Sequence, residues 1–274
     1  MTRKKISIIV KGKNEKIYMK IILLGTGTSQ GIPIIGCNCM VCKSKNLKDK
    51  RLRTSAFIEV NGLKILIDTS IDFRQQMLKF GINDIDAVLF THHHVDHILG
   101  MDDLRQINQR LNKFIDIYGN ETTIKEIKTT FRYALDKELI RYKAVPLVRF
   151  YKKKNKKFRI RNTEIIPIEV YHGRIKIYGF RIGNFAYITD CSRIEQIEME
   201  KLYGLDILVI NALRKRPHPT HFNLEQATHI AKLLKPKKTY FTHITHDLMH
   251  NETNAELPKN IKLAYDGQCF TIDN

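Results

Sequence analysis

The sequence predicts an α/β fold in which helices pack on the outside of a pair of β-sheets. Short β-branched runs alternate with amphipathic segments, and this alternation repeats in two halves of the chain. The chain has 274 residues, of which 43% are hydrophobic, so it can bury a substantial core. The sequence shows no Pro-, Gly- or Ser-rich linker after its first strand. We therefore expect residues 19–274 to form one domain, preceded by an appendage of residues 1–18.

Strands are predicted where β-branched and aromatic residues alternate with polar ones or form continuous apolar runs. Asn61-Gly62 provides a two-residue hairpin turn between two of these runs. The predicted strands are Lys20–Leu24, Ser55–Val60, Lys64–Ile67, Ala87–Phe90, Phe114–Tyr118, Glu164–Val170, Ile177–Ile182, Phe185–Ile188, Ile207–Ile210, Thr239–Thr242 and Ile261–Ala264.

Helices are predicted where apolar residues recur at helical spacing. In the last of them, Leu224, Ala227, Ala231 and Leu234 share one face. The predicted helices are Ile71–Phe80, Gly100–Arg110, Ile124–Leu135, Arg193–Leu202 and Leu224–Leu234.

The charge of the chain leaves the class of partner open. There are 47 Lys and Arg residues against 28 Asp and Glu residues, a formal net charge of +19. Such a field attracts polyanions and steers phosphate-bearing ligands, and it suits a nuclease. A general lysine bias, with the lysines on solvated faces, accounts for the same charge. The charge alone therefore does not identify a substrate.

Membrane and secretion signals are weak in this sequence. No run approaches the roughly 18 apolar residues of a membrane span, and the apolar stretch Ile6–Val10 is too short for a signal peptide. We therefore expect a cytoplasmic protein without a membrane partner.

The cysteines point to metal chemistry. Cys37, Cys39 and Cys42 form a cluster, whereas Cys191 and Cys269 stand alone. An odd number of cysteines in a chain without a secretion signal argues against a disulfide framework.

The strongest motif for chemistry directly follows the predicted strand Ala87–Phe90. His92, His94, Asp96 and His97 all lie in one short segment there. Because alternate residues leaving a strand point the same way, we expect His92 and His94 to reach one metal ion. Asp96 and His97 fall on the following turn and are expected to reach a second ion. Imidazole and carboxylate ligands suit zinc, manganese or iron.

Further ligand-type residues stand at the ends of other predicted strands. His172, Asp190 and His243 each follow a later strand, and Asp68 follows an earlier one. One such residue alone is most often a satisfied polar group, but the shared position at strand ends gathers the whole set at one edge. Asp68 is either a ligand or a residue that orients one.

At these residues the chain resembles the metallo-β-lactamase superfamily, from about Met19 to the C-terminus. The resemblance implies an αββα sandwich that holds two divalent metal ions, Zn²⁺ or Mn²⁺, at one edge. It implies that one metal is held by His92, His94 and His172, that the second is held by Asp96, His97 and His243, and that Asp190 bridges them.

The cysteine cluster narrows the resemblance. The pattern Cys37-x-Cys39-x-x-Cys42 is similar to that of the phosphoribosyl cyclic phosphodiesterases of the carbon–phosphorus lyase pathway. In that family the cysteines and a late histidine hold a structural zinc ion, and the corresponding histidine here is His246. Three thiolates and one imidazole form a closed tetrahedral zinc site. Reduced cysteines without a metal are the alternative.

The same resemblance gives His221 a catalytic role, in which it contacts the phosphate or the leaving oxygen. Asp190 and Asp68 complete the implied catalytic residues. An ordinary residue at a helix entry is the alternative for His221. The basic residues nearby, Arg214, Lys215 and Arg216, are either phosphate contacts or a solvated turn.

The implied activity is hydrolysis of a small cyclic phosphodiester, such as 5-phosphoribosyl 1,2-cyclic phosphate, by a hydroxide shared between two metal ions. A small phosphorylated molecule is then the partner, and the resemblance implies a homodimer. One alternative is a nuclease of the same superfamily, with nucleic acid as its partner, and the charge favours it. Another is a non-catalytic carrier similar to the proteins of pyrroloquinoline quinone biogenesis. Hydrolysis of a thioester or lactam is a third, because the fold hosts many reactions.

Overall fold

Two β-sheets form the centre of the protein, whose computed structural model describes residues 18–273. The strands are β1 (Tyr18–Gly25), β2 (Ser55–Val60), β3 (Leu63–Ile67), β4 (Ala87–Leu89), β5 (Ile115–Gly119), β6 (Val148–Lys152), β7 (Phe158–Ile160), β8 (Thr163–His172), β9 (Ile175–Ile182), β10 (Phe185–Ile188), β11 (Arg193–Ile194), β12 (Ile207–Asn211), β13 (Lys238–Thr242), β14 (Ile261–Leu263) and β15 (Cys269–Asp273). The helices are α1 (Met40–Lys43), α2 (Phe73–Phe80), α3 (Val95–Ile98), α4 (Leu104–Leu111), α5 (Glu121–Thr130), α6 (Lys137–Arg141), α7 (Gln196–Glu200), α8 (Leu224–Leu234) and α9 (His250–Glu256). Short 3₁₀ turns lie at Leu47–Asp49, Leu99–Asp103 and Arg132–Leu135.

The order of the strands places several strand ends at one edge. The first sheet has the order β15-β1-β2-β3-β4-β5-β6, and the second has the order β11-β8-β9-β10-β12-β13-β14, with β7 paired to β8. Strands β3 to β6 are parallel, and so are β10, β12, β13 and β14. The carboxyl ends of parallel strands meet at the same edge of a sheet, which is where open α/β sheets bind ligands.

Three apolar clusters define the layers of the fold. Side chains of both sheets, among them Ile58 and Phe180, pack together between the sheets. Phe73 of α2 and Leu104 of α4 cover the outer face of the first sheet, and Ala227 of α8 covers the outer face of the second. The order of layers is therefore helix, sheet, sheet, helix, which confirms the predicted αββα sandwich.

One predicted helix is wrong over its first turn. Arg193 and Ile194, which were assigned to the helix Arg193–Leu202, form β11 and pair with β8, and α7 begins only at Gln196. The reason is a cross-strand contact, because the guanidinium carbon of Arg193 lies 3.9 Å from the ring centre of its strand partner Tyr171. This long-range pair stabilises a strand here more than the local spacing of apolar residues stabilises a helix.

Other differences concern short elements and the N-terminus. Sequence patterns did not predict β6, β7, β15, α1, α3, α6 or α9. Tyr18 already belongs to β1 and pairs with Asp273, and residues 1–17 lie outside the described residues, so the predicted domain boundary at residue 18 stays a prediction. Between residues 18 and 273, none of the helices combines the length and the apolarity needed to cross a membrane.

Candidate metal centre

The candidate site lies where strands of both sheets end, and three of its residues share an unusual backbone conformation. Asp68 follows β3, Asp190 follows β10 by two residues, and His243 follows β13. All three adopt a left-handed backbone, with φ of 60°, 55° and 56°. This conformation is uncommon for residues other than glycine and costs about 1–3 kcal/mol at each position. The surrounding fold therefore holds these residues in a conformation that is uncommon outside glycine and that Asp and His adopt more readily than most other residues.

The segment from His92 to His97 supplies four of the predicted ligands. His94 has an extended backbone and caps α3, whose first turn carries Asp96 and His97. The change from extended chain to helix divides the ligands into two sets. Nitrogen atoms of His92, His94 and His172 lie within 4.8 Å of one another, and so do ligand atoms of Asp96, His97 and His243.

Asp190 lies between these two sets. One of its carboxylate oxygens, Oδ1, is 3.3 Å from Nε2 of His97. The other oxygen, Oδ2, is 3.3 Å from Nε2 of His243 and 4.0 Å from Nε2 of His92. The structure thus brings together all seven residues predicted to bind the two active-site metals.

Hydrogen bonds fix which nitrogen of two histidines faces the cluster. The carboxylate of Asp68 accepts a hydrogen bond from Nδ1 of His97 at 2.7 Å and another from the hydroxyl of Thr91 at 2.8 Å. Because that hydroxyl gives its proton to Asp68, it accepts from Nδ1 of His92 at 3.0 Å. Both histidines therefore carry a proton on Nδ1 and present the lone pair of Nε2 to the cluster.

Thr91 and Thr220 are residues that sequence reasoning missed. The carbonyl of Thr220 accepts a hydrogen bond of 2.8 Å from Nδ1 of His172, so Nε2 of His172 also carries a lone pair. A position next to a predicted ligand was the available signal for Thr91. The contact between Thr220 and His172 joins residues distant in sequence and has no local signal.

The donor set fits divalent metal ions. Within residues 18–273, Nε2 of His92, His97 and His243 is buried without a hydrogen-bond partner. Buried polar atoms normally have partners, and leaving one unpaired costs about 1–3 kcal/mol. Three unpaired nitrogens that face carboxylates are explained by a cation between them, and imidazole with carboxylate suits Zn²⁺ or Mn²⁺.

The ionisable groups of the cluster shift one another strongly. Burial alone would lower the pKa of His97, but the carboxylates of Asp96, Asp190 and Asp68 raise it. Burial alone would raise the pKa of Asp190, but the neighbouring imidazoles, first those of His243 and His97, lower it. The buried carboxylates are thus stabilised by nearby positive charge. A divalent cation supplies that charge without protonating a ligand.

His221 lies beside this cluster. Its Nδ1 is buried without a hydrogen-bond partner among the described residues and is 3.9 Å from Oδ2 of Asp190. Its ring stacks on that of His243, with ring centres 4.9 Å apart. Burial lowers the pKa of His221, so the imidazole is neutral at pH 7. The position follows from α8, because the capping box of Asn223 and Gln226 fixes where that helix begins.

The predicted zinc residues also meet. The sulfur atoms of Cys37, Cys39 and Cys42 lie 3.2, 3.4 and 3.6 Å from Nδ1 of His246. A hydrogen bond from the amide of Cys42 lowers the pKa of the Cys39 thiol to about 7, whereas burial raises the pKa of the Cys42 thiol to about 11. Three sulfurs around one imidazole fit a closed tetrahedral zinc site.

Two of the basic residues considered as phosphate contacts form ion pairs with acidic side chains instead. Lys215 forms an ion pair with Glu256 at 2.8 Å, and Arg216 forms a longer one with Asp247 at 3.7 Å. These contacts fit a solvated basic turn better than a phosphate site.

Family comparison connects this geometry to known proteins. A family model described as a beta-lactamase superfamily domain matches residues 64–244, a range that includes Asp68 and His243. The chain belongs to the β-lactamase superfamily. A solved structure, that of a diphosphatase from the PhnP family, is 43% identical, with a TM-score of 0.87 over 94% of this chain and 98% of that chain.

Two other solved proteins share the superfamily fold at lower identity. Zn²⁺-bound PqqB from Methylobacterium extorquens is 17% identical, with a TM-score of 0.74 over 92% of this chain and 100% of that chain. The short form of human tRNase Z is 17% identical, with a TM-score of 0.66 over 92% of this chain and 98% of that chain.

Curated relatives match this chain over only part of their own length. A protein of Porphyromonas gingivalis named octanoyltransferase is 38% identical over 93% of this chain but only 52% of its own length. A ribonuclease Z of Methanopyrus kandleri is 42% identical over 53 residues, which is 19% of each chain. The chain thus spans about half of the first relative and less of the second.

Proposed function

We propose that this hydrolase is a metal-dependent phosphodiesterase acting on a small phosphodiester, with a cyclic one such as 5-phosphoribosyl 1,2-cyclic phosphate as the first candidate. The observation that carries the proposal is the convergence of unpaired ligand atoms on both sides of Asp190, with the imidazole of His221 beside it. The similarity to a PhnP-family diphosphatase over nearly the whole chain supports phosphate as the group acted on.

Two divalent ions would be held by the two sets of ligands, with Asp190 shared between them. When bound, such ions neutralise charge on the phosphoryl oxygens and lower the pKa of a coordinated water to near 7. The cysteine cluster with His246 would hold a separate zinc ion with a structural role.

The chain's own residues position the reacting groups. Asp68 and Thr91 hold His97 and His92 with their lone pairs towards the cluster. His221, neutral and close to Asp190, donates a hydrogen bond from a ring nitrogen to a phosphoryl oxygen or to the leaving oxygen. Each of these groups is fixed before substrate binds, and such preorganised electrostatics is a large part of enzymatic rate enhancement.

The nuclease is the second candidate. The net charge of +19 and the short match to a ribonuclease Z favour it. A diphosphate bridge is a further substrate to test, because the structural relative is named a diphosphatase. The similarity to PqqB supports the fold and leaves a carrier role as an outcome of the same experiment.

The name octanoyltransferase belongs to a protein of about twice the matched length, and an acyl transfer would call for a reactive nucleophile. Cys191, next to Asp190, is fully buried, and burial raises the pKa of its thiol. A buried thiol with a raised pKa is a poor nucleophile, so this position does not favour acyl transfer.

The test combines metal analysis with a substrate panel. The panel holds bis-p-nitrophenyl phosphate, ribosyl 1,2-cyclic phosphate with and without a 5-phosphate, a 2′,3′-cyclic nucleotide, a diphosphate-bridged dinucleotide and single-stranded RNA. We expect hydrolysis of the small diesters, and a loss of at least 100-fold in Asp190→Asn, which excludes a contaminating enzyme. Cleavage of RNA alone at physiological salt would replace the proposal with the nuclease, and inactivity of the metal-loaded protein on the whole panel would favour a carrier.

A further inference from the structure

Thr220 sets the tautomers of two histidines in opposite senses. Its carbonyl, which can only accept, lies 2.8 Å from Nδ1 of His172, so that nitrogen carries the proton. Its amide, which can only donate, lies 3.3 Å from Nδ1 of His218, so that nitrogen carries a lone pair. The Thr220 hydroxyl lies 3.2 Å from the same nitrogen and adds a second donor.

The consequence is a difference in the free nitrogen of each ring. His172 presents a lone pair on Nε2, as a metal ligand must. Neutral His218 instead carries its proton on Nε2 and is a hydrogen-bond donor there. His218 is therefore unsuited to be a further metal ligand through Nε2, although it stands close to the ligand set.

The position of His218 suits contact with a bound molecule. Its ring centre is 5.1 Å from that of His221, and it is half-buried at the edge of the cluster. Pro217 and Pro219 flank it, and proline restricts both its own backbone and that of the residue before it. Thr220 packs closely against Gly173, where an added Cβ would come within 2.9 Å of the Thr220 methyl group. The backbone restriction and the contacts of Nδ1 with Thr220 thus limit the positions that the ring of His218 can adopt.

We propose that His218 is a substrate-contact residue, whose Nε2–H donates a hydrogen bond to an anionic oxygen of a phosphate ester bound at the metal centre. Thr220 is then a positioning residue that keeps this proton on Nε2. The inference rests on the proposed function for the class of substrate, but the tautomer and the binding of an anion are independent of hydrolysis.

The experiment compares His218→Ala, His218→Gln and the parent protein. Inorganic phosphate is the binding probe, measured as inhibition and by direct titration, and bis-p-nitrophenyl phosphate is the substrate. Loss of a hydrogen bond to a charged oxygen is expected to weaken phosphate binding and reduce kcat/KM about 10- to 100-fold in His218→Ala. His218→Gln, which retains an N–H donor, is expected to recover part of both, and metal content is expected to be unchanged in both variants.

The control is Lys215→Gln in the same loop, whose ammonium pairs with Glu256, and it is expected to behave like the parent. ¹⁵N NMR of the imidazole nitrogens supplies a readout that a purely structural role would not move. The parent is expected to show His218 protonated on Nε2, and Thr220→Val, which lacks the hydroxyl, to show more of the other tautomer.

The outcomes separate this inference from the proposed function. A proton on Nδ1 of His218, or phosphate binding in His218→Ala equal to that of the control, would overturn the inference, and so would loss of metal from His218→Ala. If phosphate binds in a His218-dependent way but no phosphate ester is hydrolysed, the proposed function fails and the inference stands. If the metal-loaded parent does not bind phosphate, both fail.

Discussion

The carbonyl of Thr26 and the amide of Ile244 form a backbone hydrogen bond of 3.0 Å, and the amide of Thr28 donates to the carbonyl of Ile244 at 3.1 Å. Ile244 stands directly after His243 of the metal centre and two residues before His246 of the cysteine cluster. The fully buried Arg51 donates a hydrogen bond to the hydroxyl of Thr26 and thereby stabilises the position of Thr26. One clamped segment therefore contributes to both candidate metal sites.

Replacing Cys39 with Ser is expected to reduce activity without touching the active site. The change removes one thiolate of the cluster around His246 and loosens the segment that carries His243. We expect a loss of about tenfold in kcat/KM, in the range found for residues that orient metal ligands. Metal analysis and kinetics of Cys39→Ser test this, with exposed Cys269→Ser as the control. Full activity in a variant whose cysteine cluster no longer binds zinc would contradict the coupling.

Replacing Asp68 with Asn is expected to weaken metal binding. Asp68 accepts hydrogen bonds from the amide and hydroxyl of Thr91 and from Nδ1 of His97. The amide side chain of Asn has only one acceptor oxygen, so one of these donors loses its partner. We expect affinity for the active-site metals to fall 10- to 100-fold, measured by competition with a chelator. Asp116→Asn, which alters an ion pair with Arg149 elsewhere in the fold, is the control, and equal affinities in the two variants would refute the role of Asp68.

His250 is expected to make stability depend on pH on the acid side. Its Nδ1 lies 3.3 Å from the guanidinium of Arg51, which can only donate, so the folded protein favours the neutral ring. Burial, with Arg51 and Lys48, lowers the pKa of His250 from 6.5 to about 4. Between these values the unfolded chain binds a proton that the folded chain does not, so stability falls as pH decreases from 6.5 to 4.

Urea unfolding at pH 7 and at pH 5 measures this effect. The parent is expected to lose more free energy of unfolding between the two values than His250→Gln does. Both proteins are compared under the same metal conditions, so that protonation of the metal ligands contributes equally to each. Identical losses in the two proteins would show that His250 is not the group responsible.

Gly100 is expected to tolerate no side chain. A Cβ at this position would lie 2.2 Å from the carbonyl oxygen of Ser70 and 2.4 Å from Cβ of Phe73. The turn that contains Gly100 follows α3 directly, so relief of this clash displaces Asp96 and His97 as well. We expect Gly100→Ala to lose about 1–3 kcal/mol of stability, as overpacked sites do, and to bind metal more weakly. A thermal melt with a metal titration checks both, and parent-like values in both would contradict the predicted clash.

The sequence correctly predicted those strands and helices whose formation depends mainly on neighbouring residues. Ser55–Val60, Phe185–Ile188 and Leu224–Leu234 have the predicted bounds, because short runs rich in apolar and aromatic residues favour strands and a strong helix cap fixes the start of the helix. Cys269–Asp273 was missed because it is stabilised as a strand by pairing with the distant strand Tyr18–Gly25.

The candidate site was also predictable only in part. Ligand-type residues at strand ends were visible in the sequence, and a family resemblance ordered them into sets. The hydrogen bonds that orient them were not visible, because Thr220 reaches His172 across 48 positions of sequence. Tertiary geometry alone decides which ring nitrogen carries a proton.

The left-handed backbone at Asp68, Asp190 and His243 has a consequence for how this protein can change. Glycine would relieve the backbone conformation at each of the three, but at Asp68 it would also leave the buried donors of Thr91 and His97 without an acceptor. The same variants would lose carboxylate and imidazole groups from the cluster. Backbone preference and metal-binding chemistry therefore favour different residues at these three positions, and the chain carries the residues that serve the chemistry.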